Sequence, residues 1–104
     1  MSGAKHKRKG DRVERELVKA HEDIGVPAER VPMSGAVGGS YSDDIVLKLS
    51  DGDLRGEVKA RKGGAGFVTL ERWLGEAGVL FLKRDRQEPI VVLPWRTWTR
   101  MLKR

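Results

Sequence analysis

Asp44, Glu57 and Lys59 stand near the middle of the chain, at a spacing that brings them together if the residues between them form a β-hairpin. Glu57 and Lys59 are two residues apart, so on a strand both side chains project from the same face. Asp44 would lie across the ladder, within about 5–8 Å at Cβ. Two carboxylates this close repel each other unless a cation lies between them, and carboxylate oxygens suit Mg²⁺ or Mn²⁺.

This arrangement suits phosphate chemistry. A metal ion held there would polarise a phosphate, lower the pKa of a bound water and stabilise the transition state. Lys59 could orient or deprotonate the attacking water, or neutralise charge that develops on the phosphate. The alternative is a surface hairpin whose acids and bases form exposed cross-strand pairs, each contributing about 0–1 kcal/mol. The metal site is favoured because the residues on the other face of the hairpin are apolar.

The hairpin is predicted from the pair Asp51-Gly52, which lies between two β-prone runs. A turn centred there pairs Leu49 with Leu54 and Asp44 with Lys59. One face then carries only apolar or neutral residues: Ile45, Leu47, Leu49, Leu54, Gly56 and Val58. The other face carries nearly all the charges: Asp44, Val46, Lys48, Arg55, Glu57 and Lys59.

The rest of the chain predicts one α/β domain over residues 10–104, preceded by a flexible basic arm at 1–9. An amphipathic helix runs from Asp11 to about Asp23, and residues 30–42 form a loop. Residues 67–76 are helical, the apolar runs 79–82 and 90–93 are buried strands, and 95–104 form a last helix. The order α-β-β-α-β-β-α predicts a small mixed β-sheet flanked by helices.

Composition excludes several kinds of site. The 104 residues contain no cysteine and two histidines, so disulfides and thiolate or histidine-rich zinc sites are not expected. His21 is predicted to be a surface residue. No apolar run approaches the ~20 residues that cross a bilayer, and no signal-peptide core is present, so we expect a soluble, cytoplasmic protein without a membrane partner. The motif G-x-x-x-x-G-K-[ST] is absent, which argues against a nucleotide cofactor.

The net charge of +6 is concentrated at the two ends. Residues 1–15 carry six Lys/Arg against Asp11 and Glu14, and residues 94–104 carry four Lys/Arg and no acid. The middle is left mildly acidic. Basic ends around such a centre suggest a polyanion that is held at the periphery, although solubility alone would also explain the charge.

Four segments, KRKGDRVEREL, RVPMSG, DDIVL and GEVKAR, follow one another at a characteristic spacing. In that order they resemble the archaeal-type Holliday junction resolvases, which belong to the PD-(D/E)XK nuclease superfamily. The resemblance covers roughly residues 7–61. It implies a PD-(D/E)XK (restriction-endonuclease-like) core and a homodimer that makes paired, Mg²⁺-dependent nicks in four-way DNA junctions, with Mn²⁺ as a possible substitute.

The resemblance also assigns residues to roles. The expected catalytic residues are Glu14, Ser34, Asp44, Glu57 and Lys59. The expected metal ligands are Glu14, Asp44, Glu57 and Val58. Arg30 matches a basic position near the DNA. The other expected DNA contacts follow from basic charge and not from the resemblance: Lys7, Arg8, Lys9, Arg12, Arg15, Arg61 and Lys62. On helical geometry alone either Glu14 or Glu16 could reach the site, and the resemblance favours Glu14.

Some features depart from the family pattern. Asp43 stands where the family often has proline, and the second half of the chain is shorter than usual, so junction specificity follows less directly than nuclease chemistry. Two alternatives stay open: a nuclease for flaps, nicks or DNA ends, and a non-catalytic basic DNA-binding module. Trp73, Trp95 and Trp98 could pack in the core, in a dimer interface or on DNA bases, with packing favoured.

Overall fold

The computed structural model describes residues 2–31 and 44–103, with side chains from residue 10 onward. The chain divides into two compact units, the first ending at Ala60 and the second spanning Arg61–Lys103. The assignment of residues 10–104 to one domain stays a prediction. In the described part of the chain, no helix is both long enough and apolar enough to span a membrane.

The first unit contains helix α1 (Ser2–Asp23) and three strands, β1 (Ala28–Arg30), β2 (Ile45–Leu49) and β3 (Gly52–Gly56). The strands form an antiparallel sheet in the order β1-β2-β3. Strand β1 was not predicted, because its three residues are too few to show an alternating pattern. Over residues 2–31 and 44–103, the observed order of elements is therefore α-β-β-β-α-β-β-α.

Helix α1 ends at Asp23, as predicted, but begins at Ser2 instead of Asp11. It therefore includes most of the segment assigned to a basic arm, whose flexibility stays a prediction. Gly25, two residues after the helix, has a φ of 89°, a conformation that favours glycine. The backbone N–H groups of Ile24 and Val26 both donate to the carbonyl of His21, at 3.1 and 2.9 Å.

The core of the first unit lies between α1 and the sheet. It contains the buried side chains of Val26, Ile45 and Leu47, together with His21, which is only 3% exposed. The prediction that His21 is a surface residue is therefore wrong. His21 follows Leu17 by one helical turn, so it lies on the apolar face of α1, and its Nδ1 is 2.7 Å from the Leu17 carbonyl oxygen.

The β2–β3 hairpin turns at Ser50 and Asp51, one position earlier in the chain than predicted. Gly52, with a φ of 135°, begins β3 and pairs with Leu49. The predicted pairings of Leu49 with Leu54 and of Asp44 with Lys59 are therefore wrong by two residues. Because side chains alternate with a period of two, this shift leaves every strand residue on its predicted face.

The second unit contains α2 (Ala65–Leu74), β4 (Leu80–Leu82), β5 (Ile90–Val92) and α3 (Trp95–Leu102). These four elements were all predicted, within a few residues at their ends. Strands β4 and β5 form their own antiparallel sheet, so the prediction of one mixed sheet is wrong for the described part of the chain. The described elements form a mixed α/β fold with small antiparallel sheets, and the PD-(D/E)XK core implied by the resemblance stays an expectation.

The strands of the second unit were predicted to be buried, and this prediction is wrong. Phe81, Ile90 and Val91 are 67%, 61% and 53% exposed. Continuous apolar runs indicate that a strand avoids water, but they do not show whether its own chain or another molecule covers it. Helices α2 and α3 contain no buried residue either.

Candidate active site

Asp44 is held in place by backbone hydrogen bonds to both neighbouring strands. Its carbonyl oxygen accepts from the N–H of Val31, which follows β1, at 3.0 Å. Its own N–H donates to the carbonyl of Gly56, the last residue of β3, at 2.8 Å. Asp44 is therefore fixed at the open end of the β2–β3 hairpin, where Glu57, Val58 and Lys59 continue from β3. We call residues 44 and 57–59 the hairpin end.

The side chain of Asp44 is held as firmly as its backbone. Its Oδ2 accepts a hydrogen bond of 2.8 Å from the backbone N–H of Val58. This contact places the Asp44 carboxylate beside the peptide that follows Glu57. The register supports the same conclusion, because Ile45 pairs with Gly56 and the next residue on each side is Asp44 or Glu57.

Glu57 and Lys59 form an ion pair across the hairpin end. The Nζ of Lys59 lies 3.2 Å from Oε2 of Glu57, and the two side chains are 63% and 37% exposed. The prediction that they project to the same side is confirmed. Because both side chains are exposed to this extent, the ammonium and the carboxylate are accessible to a ligand from solvent.

Glu14 lies in a different cluster. Its Oε1 accepts a hydrogen bond of 3.0 Å from Nε of Arg30, while Nη2 of Arg30 donates to Oδ1 of Asp11 at 2.8 Å. The side chains of Arg30, Glu14 and Asp11 are 29%, 15% and 27% exposed. Glu16 is instead 66% exposed and lies 3.8 Å from Arg12. Of Glu14 and Glu16, therefore, only Glu14 points inward from the helix.

The Arg30 cluster, which we define as Arg30, Asp11 and Glu14, was only partly anticipated. Glu14 and Arg30 were assigned to the metal site and the DNA surface, and no role was assigned to Asp11. The signal for Asp11 was present in the sequence, because residues three apart on a helix are neighbours and Asp11 precedes Glu14 by three.

The residues at the hairpin end fit a divalent cation in their chemistry. The carboxylates of Asp44 and Glu57 and the carbonyl oxygen of Val58 are hard oxygen donors, and Mg²⁺ is usually bound by one or two carboxylates with water. Among the described residues, no three Asp, Glu or His side chains converge closely enough to hold a metal ion. Glu14 is held by Arg30, and its role as a metal ligand stays a prediction.

A further ion-paired lysine lies on the charged face of the sheet. Nζ of Lys48 is 2.9 Å from Oδ2 of Asp53 and 3.7 Å from Oε1 of Glu29, so it links all three strands. The hydrogen bond to Asp53, opposed by desolvation and aided by both carboxylate charges, raises the pKa of Lys48 above its usual 10.5. Lys48 stabilises the sheet locally and belongs neither to the hairpin end nor to the Arg30 cluster.

The expected DNA contacts lie along α1 and after the hairpin end. Lys7, Arg8 and Lys9 belong to α1, and no position is described for their side chains. Arg12, Arg15, Arg61 and Lys62 are exposed. Arg30 is the exception, because the acids of its cluster already bind it. Ser34 lies outside the described residues.

Compared with known families, the chain matches the archaeal Holliday junction resolvase family (Hjc) over residues 5–98. No curated protein and no solved structure matches it. The matched range extends well beyond residues 7–61, to which the resemblance of motifs was limited. It includes the hairpin end, the Arg30 cluster and most of the second unit. The chain therefore belongs to the archaeal Holliday junction resolvase family.

Proposed function

We propose that this protein is a Mg²⁺-dependent endonuclease that resolves four-way DNA junctions by paired nicks. Family membership supports resolvase activity, and the nucleases of this family are metal-dependent. The observation that carries the proposal is the 2.8 Å hydrogen bond from the Val58 amide to Oδ2 of Asp44. It holds the Asp44 carboxylate against the backbone of Val58, between Glu57 and Lys59.

The roles of the residues follow from their chemistry. Asp44, Glu57 and the carbonyl of Val58 would hold the ion, with Glu14 as a further ligand. A bound ion would supply charge that polarises the scissile phosphate and acidifies a water molecule. Lys59 would hydrogen-bond the attacking water or the phosphate, and its ion pair keeps the ammonium beside Glu57.

DNA binding is proposed to rest on the basic residues of α1 and of the segment that follows the hairpin end. Lysine and arginine contacts to phosphates provide affinity that depends little on base sequence and falls steeply with salt. Arg12 and Arg15 on the exposed side of α1, and Lys62 after the hairpin end, have the required charge and exposure. Lys7, Arg8, Lys9 and Arg61 are proposed to make further phosphate contacts.

A homodimer is part of the same proposal. Paired nicks need two active sites, and the second unit has apolar side chains that its own chain leaves exposed: Phe67, Val68, Trp73, Phe81, Ile90, Val91, Trp95 and Met101. A second copy of the chain would bury them in a symmetric interface. Trp73 and Trp95, at 59% and 44% exposure, are assigned to this interface in preference to DNA bases.

A non-catalytic DNA-binding module is the second candidate. It is favoured by one observation, the ion pair between Glu14 and Arg30, which already occupies the carboxylate of Glu14. In that case Asp44 and Glu57 would only shape the hairpin end. A nuclease that cuts flaps, nicks or duplex ends would use the same residues as a resolvase and differ in its substrate.

Cleavage assays separate these candidates. Purified protein is incubated with a labelled four-way junction, a flap and a linear duplex, in Mg²⁺ and then in EDTA. We expect symmetric nicks in the junction that vanish in EDTA, in Asp44→Asn and in Glu57→Gln. Asp53→Asn, which removes an exposed acid that is ion-paired with Lys48, is the matched control and should cut normally.

Equal cutting of all three substrates would favour the broader nuclease. Junction binding without cutting, unchanged by Asp44→Asn and Glu57→Gln, would support the non-catalytic module and exclude the metal site. Binding is followed in parallel by gel shift, so that loss of cutting is distinguished from loss of affinity.

A further inference from the structure

Arg30 is held by two acids through two different nitrogen atoms. Nε donates to Glu14 at 3.0 Å, and Nη2 donates to Asp11 at 2.8 Å. All three side chains are largely shielded from solvent, and Glu14 is the most buried of them, at 15% exposure. A guanidinium in such surroundings is costly to leave without a partner.

The position of Arg30 links its cluster to the hairpin end. Arg30 is the last residue of β1 and pairs with Ile45, the first residue of β2. The next residue, Val31, donates its N–H to the carbonyl of Asp44 at 3.0 Å. A displacement of Arg30 would therefore also move the backbone that positions Asp44.

The proposed function places competing demands on Glu14. As a metal ligand, Glu14 would have to turn from Arg30 to the cation, and Arg30 would then lose the hydrogen bond made through Nε. Asp11 makes its bond through Nη2, so that bond survives when Glu14 leaves. The net charge of the Arg30 cluster, −1 with both acids present, would be neutral with Asp11 alone.

We propose that Asp11 is a positioning residue that keeps Arg30 paired and in place while Glu14 turns to the divalent cation. This inference rests on the proposed function, in which Glu14 is a metal ligand. Without the Asp11 carboxylate, Glu14 would be the only partner of Arg30 in this cluster. Cation binding would then have to break that pair, so the affinity for the cation would fall.

Metal binding can be measured without reference to cleavage. Mn²⁺ is titrated into the full chain by calorimetry, for wild type, Asp11→Asn and the control Asp53→Asn. The Asp53 carboxylate, like that of Asp11, is ion-paired with a basic side chain, since it lies 2.9 Å from Nζ of Lys48. We expect Asp11→Asn to weaken Mn²⁺ binding by about tenfold, the usual size for loss of a residue that supports a ligand. Asp53→Asn should leave the affinity unchanged.

A double-mutant cycle identifies the route of the effect. With Arg30→Gln in the background, Asp11→Asn should have no further effect on Mn²⁺ affinity, because no guanidinium competes for Glu14. An equal loss in both backgrounds would show that Asp11 acts directly on the ion and would overturn the proposal. So would an Asp11→Asn variant that binds Mn²⁺ as well as Asp53→Asn.

Failure of this inference is distinguishable from failure of the proposed function. Mn²⁺ binding that is lost in Asp44→Asn but indifferent to Asp11→Asn removes the role of Asp11 and leaves the metal site standing. Binding that does not respond to Asp44→Asn removes both.

A measurement on the unmutated chain covers the case in which Asp11→Asn does not fold. The Nε–H signal of Arg30 is followed by NMR during a Mg²⁺ titration, with Glu14→Ala as the reference for the broken bond. The signal should move towards the Glu14→Ala position, while the signals of Nη2 stay in place. A stationary Nε–H signal at saturating Mg²⁺ would overturn the exchange of partners.

Discussion

Asp44 and Val58 are joined by a hydrogen bond of 2.8 Å between a side-chain oxygen and a backbone N–H. The bond links the residue that precedes β2 to the segment that follows β3, so it closes the hairpin beyond its last regular pair. The same carboxylate is proposed to bind the metal ion. Its structural and catalytic contributions are therefore separable by the choice of substitution.

Asp44→Asn and Asp44→Ala should differ in stability but not in activity. Asparagine keeps an oxygen that accepts from the Val58 amide, so the free energy of unfolding should change little, while the loss of charge abolishes cleavage. Alanine leaves that N–H without its acceptor and should cost about 1–3 kcal/mol. Urea denaturation and junction cleavage measure the two effects. Equal stability of the two variants would contradict the importance of the bond.

Glu14→Gln should destabilise the first unit, because it weakens the charged hydrogen bond to the partly buried Arg30. We expect a loss of about 1–2 kcal/mol in the free energy of unfolding, measured in EDTA. Glu16→Gln, on the same helix, removes an exposed partner of Arg12 at 3.8 Å and should change stability by less than about 0.5 kcal/mol. Similar values for both variants would mean that the Arg30 cluster adds no stability.

Gly56→Ala and Gly10→Ala should have opposite effects on stability. A Cβ at Gly56 would lie 3.2 Å from Cγ1 of the buried Ile45, so alanine should cost about 1 kcal/mol or more. A Cβ at Gly10 meets nothing within 4 Å, and helix α1 should gain about 0.5–1 kcal/mol. Chemical denaturation measures both. A neutral Gly56→Ala would show that Ile45 yields easily.

Phe81→Asp should convert the proposed dimer into monomers. Phe81 and Val91 are cross-strand partners on one face of the β4–β5 hairpin, and both are more than half exposed. A carboxylate there would have to be desolvated in the interface. Gln87→Asp, in the turn of the same hairpin, adds the same charge as a control. Sedimentation velocity at micromolar concentration reads the outcome, and a monomeric wild type would refute the dimer.

Lys48 should make stability depend on pH only in strong alkali. Its pKa is raised in the folded protein, chiefly by the hydrogen bond to Asp53, so folding favours the protonated lysine. The contribution is complete below 10.5, the ordinary pKa, and is lost as the pH rises through the higher value in the folded state. Comparing urea midpoints of wild type and Lys48→Met from pH 9 upward should show the two curves converging.

Much of the first unit could be predicted from its periodicity. The alternation along residues 45–56 predicts which side chains face the core, and the burial of Ile45 and Leu47 confirms it. The apolar stripe of α1 is half-buried. The hairpin register could not be predicted as well. Asp51-Gly52 is compatible with a turn at either of two positions, and the backbone of Gly52 allows both.

The candidate site was predictable where it depends on local spacing. Glu57 and Lys59 are two residues apart on one segment, and their contact follows directly. The partner of Glu14 was not predictable, because it depends on β1, a strand of three residues that brings Arg30 against the helix. Local sequence pattern does not contain this tertiary contact. The spacing of Asp11 and Glu14 predicts that they are neighbours on α1, but not that both bind Arg30.

The second unit has exposed strands and no buried residue in either helix, so its apolar side chains have little interior of their own. If a second copy supplies that interior, folding and association become one equilibrium. Mass action then ties the melting temperature to protein concentration, and dilution should lower it even in a buffer without DNA or metal. The proposed cleavage of four-way junctions would then require a protein concentration high enough for the homodimer to form.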